Sequence, residues 1–228
     1  MIRWLLIALL ISMNALAEEP STCYGSTSNG KLKNGVQLPA EGENFVGYSG
    51  LAASLGRTYL HSTARDIVVD AYQQLQKELP DKVFKYAETG FAEGGPFKPH
   101  KTHQNGLSID FMVPVLNKKG ESVHLPTHPF NKFGYNIEFD GVGKFEEYTI
   151  DYEALAAHIV ALHKAAEKHQ ATVWRVIFDP KLQPYLLKTS HAEYIKKRVN
   201  LSKKPSWVRH DEHIHVDFTI ACSPMPTK

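Results

Sequence analysis

Apolar residues recur at helical spacing in two stretches of the chain. Val68, Tyr72, Leu75 and Leu79 follow one another at steps of four, three and four, which predicts an amphipathic helix from Ser62 to Leu79. Ser62 or Thr63 can cap its start, and Pro80-Asp81 ends it. Tyr152, Leu155, Ile159, Leu162 and Ala166 mark a second helix from Tyr152 to His169, with Asp151 placed to cap it. Short runs rich in β-branched or aromatic residues predict strands at Val83–Ala87, Ser108–Val115, Tyr135–Phe139, Thr172–Phe178 and His213–Ile220. The helices are expected to cover one sheet. The order is not a repeating βαβ, so the fold class is α+β. Two stretches rich in glycine, proline and polar residues, Thr89 to Asn105 and Asn117 to Lys132, read as long loops able to carry a site on a rigid scaffold.

The start of the chain reads differently. Residues 1–17, MIRWLLIALLISMNALA, combine Arg3, an apolar run from Trp4 to Met13 and a small-residue Ala15-Leu16-Ala17 ending, the pattern of a cleaved signal peptide. The run is shorter than the roughly 20 apolar residues a spanning helix needs. Residues 18–228 are expected to form a single exported domain, since no linker or internal repeat divides them. The formal charge of the full chain is +2, too small to indicate nucleic acid. Cys23 and Cys222 are the chain's two cysteines. An oxidising compartment favours a disulfide between them, with a pair of buried free thiols as the alternative.

Chemistry concentrates in two short segments, HKTHQNGLSID at 100–110 and RHDEHIH at 209–215. On a strand, His213 and His215 leave the same face while Ile214 points away. His103 closes a loop, Asp110 lies within a strand, and Gly106 eases the bend that brings them together. Two histidines and one carboxylate make a three-ligand zinc set that leaves a fourth position for water. The flanking Ile109, Phe111 and Met112 imply that Asp110 is buried, and a buried carboxylate needs a partner. His213, beside His215, is the candidate base, because imidazole titrates near neutrality. Neither H-E-x-x-H nor G-x-S-x-G occurs. The acidic pair Asp211-Glu212 is expected to splay apart on extended chain, which argues against sugar chemistry.

The stretches GGPFKPHKTHQNGLSIDF (94–111) and WVRHDEHIHVDF (207–218) resemble the His-x-x-His-Gln-x-Gly-Leu-x-x-Asp and His-x-x-His-x-His segments of the penicillin-insensitive murein endopeptidases. These belong with lysostaphin, D-Ala-D-Ala peptidases and hedgehog domains in one group of zinc metallopeptidases. SNGKLKNGVQLP (28–39), RTYLH (57–61) and WRVIFDP (174–180) resemble further family segments in the same order. The resemblance implies a small antiparallel sheet with flanking helices and long loops, and one Zn2+ held by His103, Asp110 and His215. It gives His213 the catalytic imidazole role and places His210 and His100 beside the site, for catalysis and substrate binding respectively. The implied substrate is the peptide cross-link of peptidoglycan in the periplasm. Carboxypeptidase action and a non-enzymatic, zinc-containing peptidoglycan-binding module are the competing readings. Wall growth and local opening of the wall for a secretion system are both compatible biological settings. Arg57 and Lys101 read as solvated surface cations, and the segment from Pro114 to Thr149 matches no part of the family pattern.

Overall fold

The computed structural model describes residues 19–226, so the signal peptide expected over residues 1–17 lies outside the described residues. Both long helices form where the apolar stripes put them, at Ser62–Glu78 and Tyr152–Lys168. The cap of the first differs from expectation: it is His61, whose Nδ1 accepts the Thr63 N–H at 3.2 Å. Any side-chain acceptor that reaches a free N–H of the first turn can cap it, and an imidazole does so here in place of a hydroxyl. Asp151 caps the second helix as expected, accepting the Ala154 N–H at 3.0 Å. The second helix is buried from Ala154 to His163, because it lies between the first helix, the strand Thr172–Ile177 and the short helices Gln183–Leu186 and Ala192–Arg198.

The central sheet has five strands in the order Thr172–Ile177, His213–Thr219, Ser108–Met112, Phe84–Tyr86, Phe45–Gly47. Its pairs are antiparallel except the last, where Phe45–Gly47 runs parallel to Phe84–Tyr86. The fold is α+β. Two strand expectations need correction. The run from Ser108 stops at Met112, because Pro114 has no N–H for a ladder, and Val115–Leu116 joins a separate four-stranded sheet. Tyr135–Phe139 is no strand: a 3-10 segment, Pro129–Gly134, leads into a turn, and the Phe139 N–H donates to Asp211 Oδ2 at 2.6 Å instead of to a neighbouring strand. The alternation there records which side chains turn inward, since Ile137 and Phe139 are buried, and an irregular strap achieves that without a ladder.

The two faces of the sheet have different contents. Ile109, Phe111, Ile214, Val216 and Phe218 point to the helices and join Ile67, Val68, Tyr72, Leu155 and Ile159 in one hydrophobic cluster. Each such side chain, fully buried, contributes roughly 1.5–3 kcal/mol. The alternate residues Ser108, Asp110, His213, His215 and Asp217 face the other way and are buried beneath the loops. Cys23 and Cys222 form a disulfide, which ties the hairpin Thr22–Ser26/Asn29–Lys33 to the chain just beyond the last strand.

Candidate metal centre

Strand register assembles the centre. On the antiparallel pair, His215 stands opposite Asp110, His213 opposite Met112 and Asp217 opposite Ser108, so these side chains share one face. His215 Nδ1 lies 2.8 Å from Asp110 Oδ1. His103 arrives from the loop before this strand and sets its Nε2 3.4 Å from the same oxygen. The bend that carries it needs glycine at 106: φ there is +76°, and a Cβ would meet the His61 backbone nitrogen at 2.6 Å. His103 itself is held at φ +67°, a costly conformation for a side chain of that size.

The outer nitrogens are tied to fixed acceptors. His103 Nδ1–H donates to the Thr89 carbonyl at 3.0 Å, and His215 Nε2–H donates to Asp217 Oδ1 at 2.9 Å. Asp217 also accepts from Ser108 Oγ at 2.6 Å and from Arg175. Each imidazole therefore aims its inner nitrogen at Asp110 Oδ1, the arrangement of metal-ligating histidines whose other ring nitrogen is held by a carbonyl or carboxylate. His103 Nε2 is buried with no hydrogen-bond partner, an orphaned acceptor that a cation would satisfy. Donors about 2.0–2.2 Å from a tetrahedral zinc would stand about 3.3–3.6 Å from one another; the 3.4 Å separation of His103 Nε2 and Asp110 Oδ1 matches this, while His215 Nδ1 at 2.8 Å stands at hydrogen-bond distance.

His100 approaches from the opposite side. Its Nε2 lies 2.5 Å from Glu88 Oε2 and its Nδ1 3.9 Å from Asp110 Oδ2. His100, His103 and Asp110 offer ligand atoms that all lie within 4.8 Å of one another, and so can hold a metal ion. His103 and Asp110 thus sit between two further imidazoles, His100 and His215. Arg57, expected as a surface cation, instead pairs with Glu88, which also accepts from Tyr48 Oη at 3.0 Å.

His213 Nε2 is 3.9 Å from Asp110 Oδ2, and its Nδ1–H donates to Glu212 Oε1 at 2.9 Å. The His210 ring stands 4.5 Å from it, tied through Nδ1 to the Val208 carbonyl. Burial lowers His213 to about 4 and His210 to about 3, so both are neutral at neutral pH. Burial also raises Glu212 to about 7 and Asp211 to about 6. The two neighbours lie at a bend and turn to different partners, Asp211 Oδ2 to the Phe139 N–H at 2.6 Å and Glu212 Oε1 to His213 Nδ1 at 2.9 Å. Asp110 behaves in the opposite way: burial opposes its ionisation, yet His103 and His213 hold it well below the usual carboxylate range.

Sequence reasoning missed Tyr135, whose Oη donates to Asp110 Oδ2 at 2.9 Å and whose ring packs on His213 at 5.0 Å. Burial, then Asp110, keeps this phenol protonated. It also missed Glu88, Glu212 and Asp217. Of these, only Asp217 carried a signal, since it lies two residues beyond His215 and so on the same strand face.

The chain matches the family model for penicillin-insensitive murein endopeptidase over residues 23–226. It belongs to that family. No curated relative matches it. For a murein endopeptidase the surroundings of the centre are suitably open. A cavity of about 450 Å³, lined by Tyr48, Lys132, Tyr135, Trp207, Arg209 and His213, adjoins another of about 210 Å³, which contains Asp110, His210 and His215. The two share His100, Trp207, Val208 and His213, and Lys101 lies over the Trp207 ring at 5.0 Å.

Proposed function

We propose that this murein endopeptidase is a zinc enzyme that hydrolyses an amide bond in the peptide cross-links of peptidoglycan, with the metal on His103, Asp110 and His215. The observation that carries the reading is the shared Asp110 Oδ1, faced by both His103 Nε2 and His215 Nδ1, with each ring's other nitrogen held by a fixed acceptor. His100 meets the other oxygen of Asp110 at a longer distance. It is the weaker candidate for the third ligand and the better one for contacting substrate from the cavity wall it shares with Tyr135. When bound, zinc supplies Lewis-acid polarisation of the amide carbonyl and lowers the pKa of its water towards ~7.

The chain's own residues do the rest. His213, neutral and with Nδ1–H on Glu212, presents Nε2 as the acceptor for the water's proton, then as the donor to the leaving amine. His210, ring to ring with His213, donates its one N–H to the Val208 carbonyl and so presents a bare Nε2 to the substrate as an acceptor. Two adjoining cavities at the centre give room for chain on each side of the scissile bond, as an internal cleavage needs. The Cys23–Cys222 disulfide fits an oxidising compartment, and the periplasm is the one that holds this substrate.

Digestion of purified cross-linked muropeptides, read by mass spectrometry with and without chelator, tests the proposal. Conversion of dimers to monomers that stops with chelator is expected. Release of free D-alanine would establish a carboxypeptidase instead, and binding without products a recognition module.

A further inference from the structure

The strap from Pro126 to Phe139 reaches the centre of the site. It is pinned at several points. Thr127 Oγ1 donates to the Tyr48 carbonyl at 2.7 Å, and Lys85 Nζ donates to the Leu125 carbonyl at 2.7 Å. Asn131 Oδ1 accepts the N–H groups of His128 and Gly134 at 3.0 and 2.9 Å. Phe139 N–H closes the strap on Asp211. Immediately before Tyr135 come three residues with positive φ, Lys132 at 49°, Phe133 at 57° and Gly134 at 102°. The first two are side-chain-bearing residues in a conformation that is costly for them and persists only where the surroundings enforce it. At Gly134 a Cβ would crowd Met112 and Thr127 at 3.0 Å. This turn aims the Tyr135 hydroxyl at Asp110.

Asp110 divides its two oxygens. Oδ1 faces His103 and His215, and Oδ2 accepts the phenol at 2.9 Å, with His100 and His213 both at 3.9 Å. Among the described residues its ion-pair partners are histidines, with no lysine or arginine. A lysine or arginine in the phenol's place would neutralise the carboxylate and compete with a metal. A neutral hydroxyl fixes the carboxylate's orientation and leaves its charge for the cation.

The geometry points to Tyr135 as a positioning residue for the metal: its hydroxyl holds Asp110 Oδ2 so that Oδ1 is presented, fully charged, to the cation shared with His103. This rests on the metal reading above. The test is the zinc dissociation constant of the purified chain, measured by competition with a chromophoric chelator, for the wild type, Tyr135→Phe and Tyr86→Phe. The last removes a buried phenol that bonds the Leu38 carbonyl instead, and controls for the loss of a buried hydroxyl as such. Tyr135→Phe is expected to weaken zinc binding ~10–100-fold, with Tyr86→Phe within about threefold of wild type and the metal-free melting temperatures of the two variants alike. Wild-type zinc affinity in Tyr135→Phe, or an equal loss in Tyr86→Phe, overturns the inference. A wild type that binds no zinc overturns the metal reading itself.

Discussion

Two sets of buried histidines lie on opposite faces of the strand Ser108–Met112, and the same burial has opposite consequences for them. On the helical side, His158 packs against Phe111 at 4.8 Å, with Tyr72 and Phe84 at 5.2 and 5.1 Å. Neither of its ring nitrogens has a partner among the described residues, and burial pushes it down to about 3. On the other side His215 is also buried, and burial again works to lower it. Asp217 and Asp110 face its two nitrogens and raise it to about 10. A dry surrounding penalises charge in both places, and facing carboxylates reverse the sign in one. His158 is therefore an aromatic core residue. The site across the strand is built to hold positive charge, whether a proton or a metal ion.

Four substitutions test that contrast, in order of expected effect. Asp110→Ala removes the charge that draws the cation, and should abolish zinc binding and lower kcat/KM on the order of 10³-fold or more. Metal analysis together with muropeptide turnover checks it, and a variant that keeps its zinc contradicts the account. His213→Ala should keep zinc while kcat falls ~10²–10⁴-fold, the range for losing a general base. Loss of metal in that variant would make His213 a ligand instead. Asp217→Asn leaves His215 in place but weakens the acceptor that orients it, so zinc affinity should fall ~10–100-fold in a chelator competition.

His158→Leu is expected to leave turnover at neutral pH unchanged and to alter the pH dependence of stability. The unfolded chain takes up a proton at this histidine below about pH 6.5, whereas the folded chain resists until about 3. The favourable contribution is thus complete above about pH 6.5 and declines as pH falls towards 3. Wild type should lose about 2 kcal/mol more than His158→Leu between pH 7 and pH 5 in urea titrations. Parallel stability curves for the two proteins would show that His158 is not held neutral by the core.

The sequence made one of these regions far more legible than the other. Period-two spacing put His213 and His215 on one face, and the surrounding Ile109, Phe111 and Met112 announced a buried Asp110, because strand alternation is a local rule. Both long helices were readable for the same reason, from the spacing of Val68, Tyr72 and Leu75 and of Leu155, Ile159 and Leu162. What could not be read was set by distant chain. Tyr135 reaches Asp110 across 25 positions through a strained turn, and Glu88 holds His100 and Arg57 from a loop with no motif of its own. The Tyr135–Phe139 alternation was misread as a strand because inward-facing residues look the same on a strap as on a ladder. His158 appeared as one more position on a helical stripe, and its isolation depends on aromatic rings contributed by three separate elements.

The central claim concerns which imidazole completes the metal site, and bound zinc per chain tests it most directly. It should be measured by atomic emission after dialysis against metal-free buffer, for the wild type, His100→Ala and His215→Ala. The account predicts one zinc per chain in the wild type and in His100→Ala, and none in His215→Ala. Zinc retained by His215→Ala and lost from His100→Ala would contradict it, and would move the metal to the His100, His103 and Asp110 side of the carboxylate.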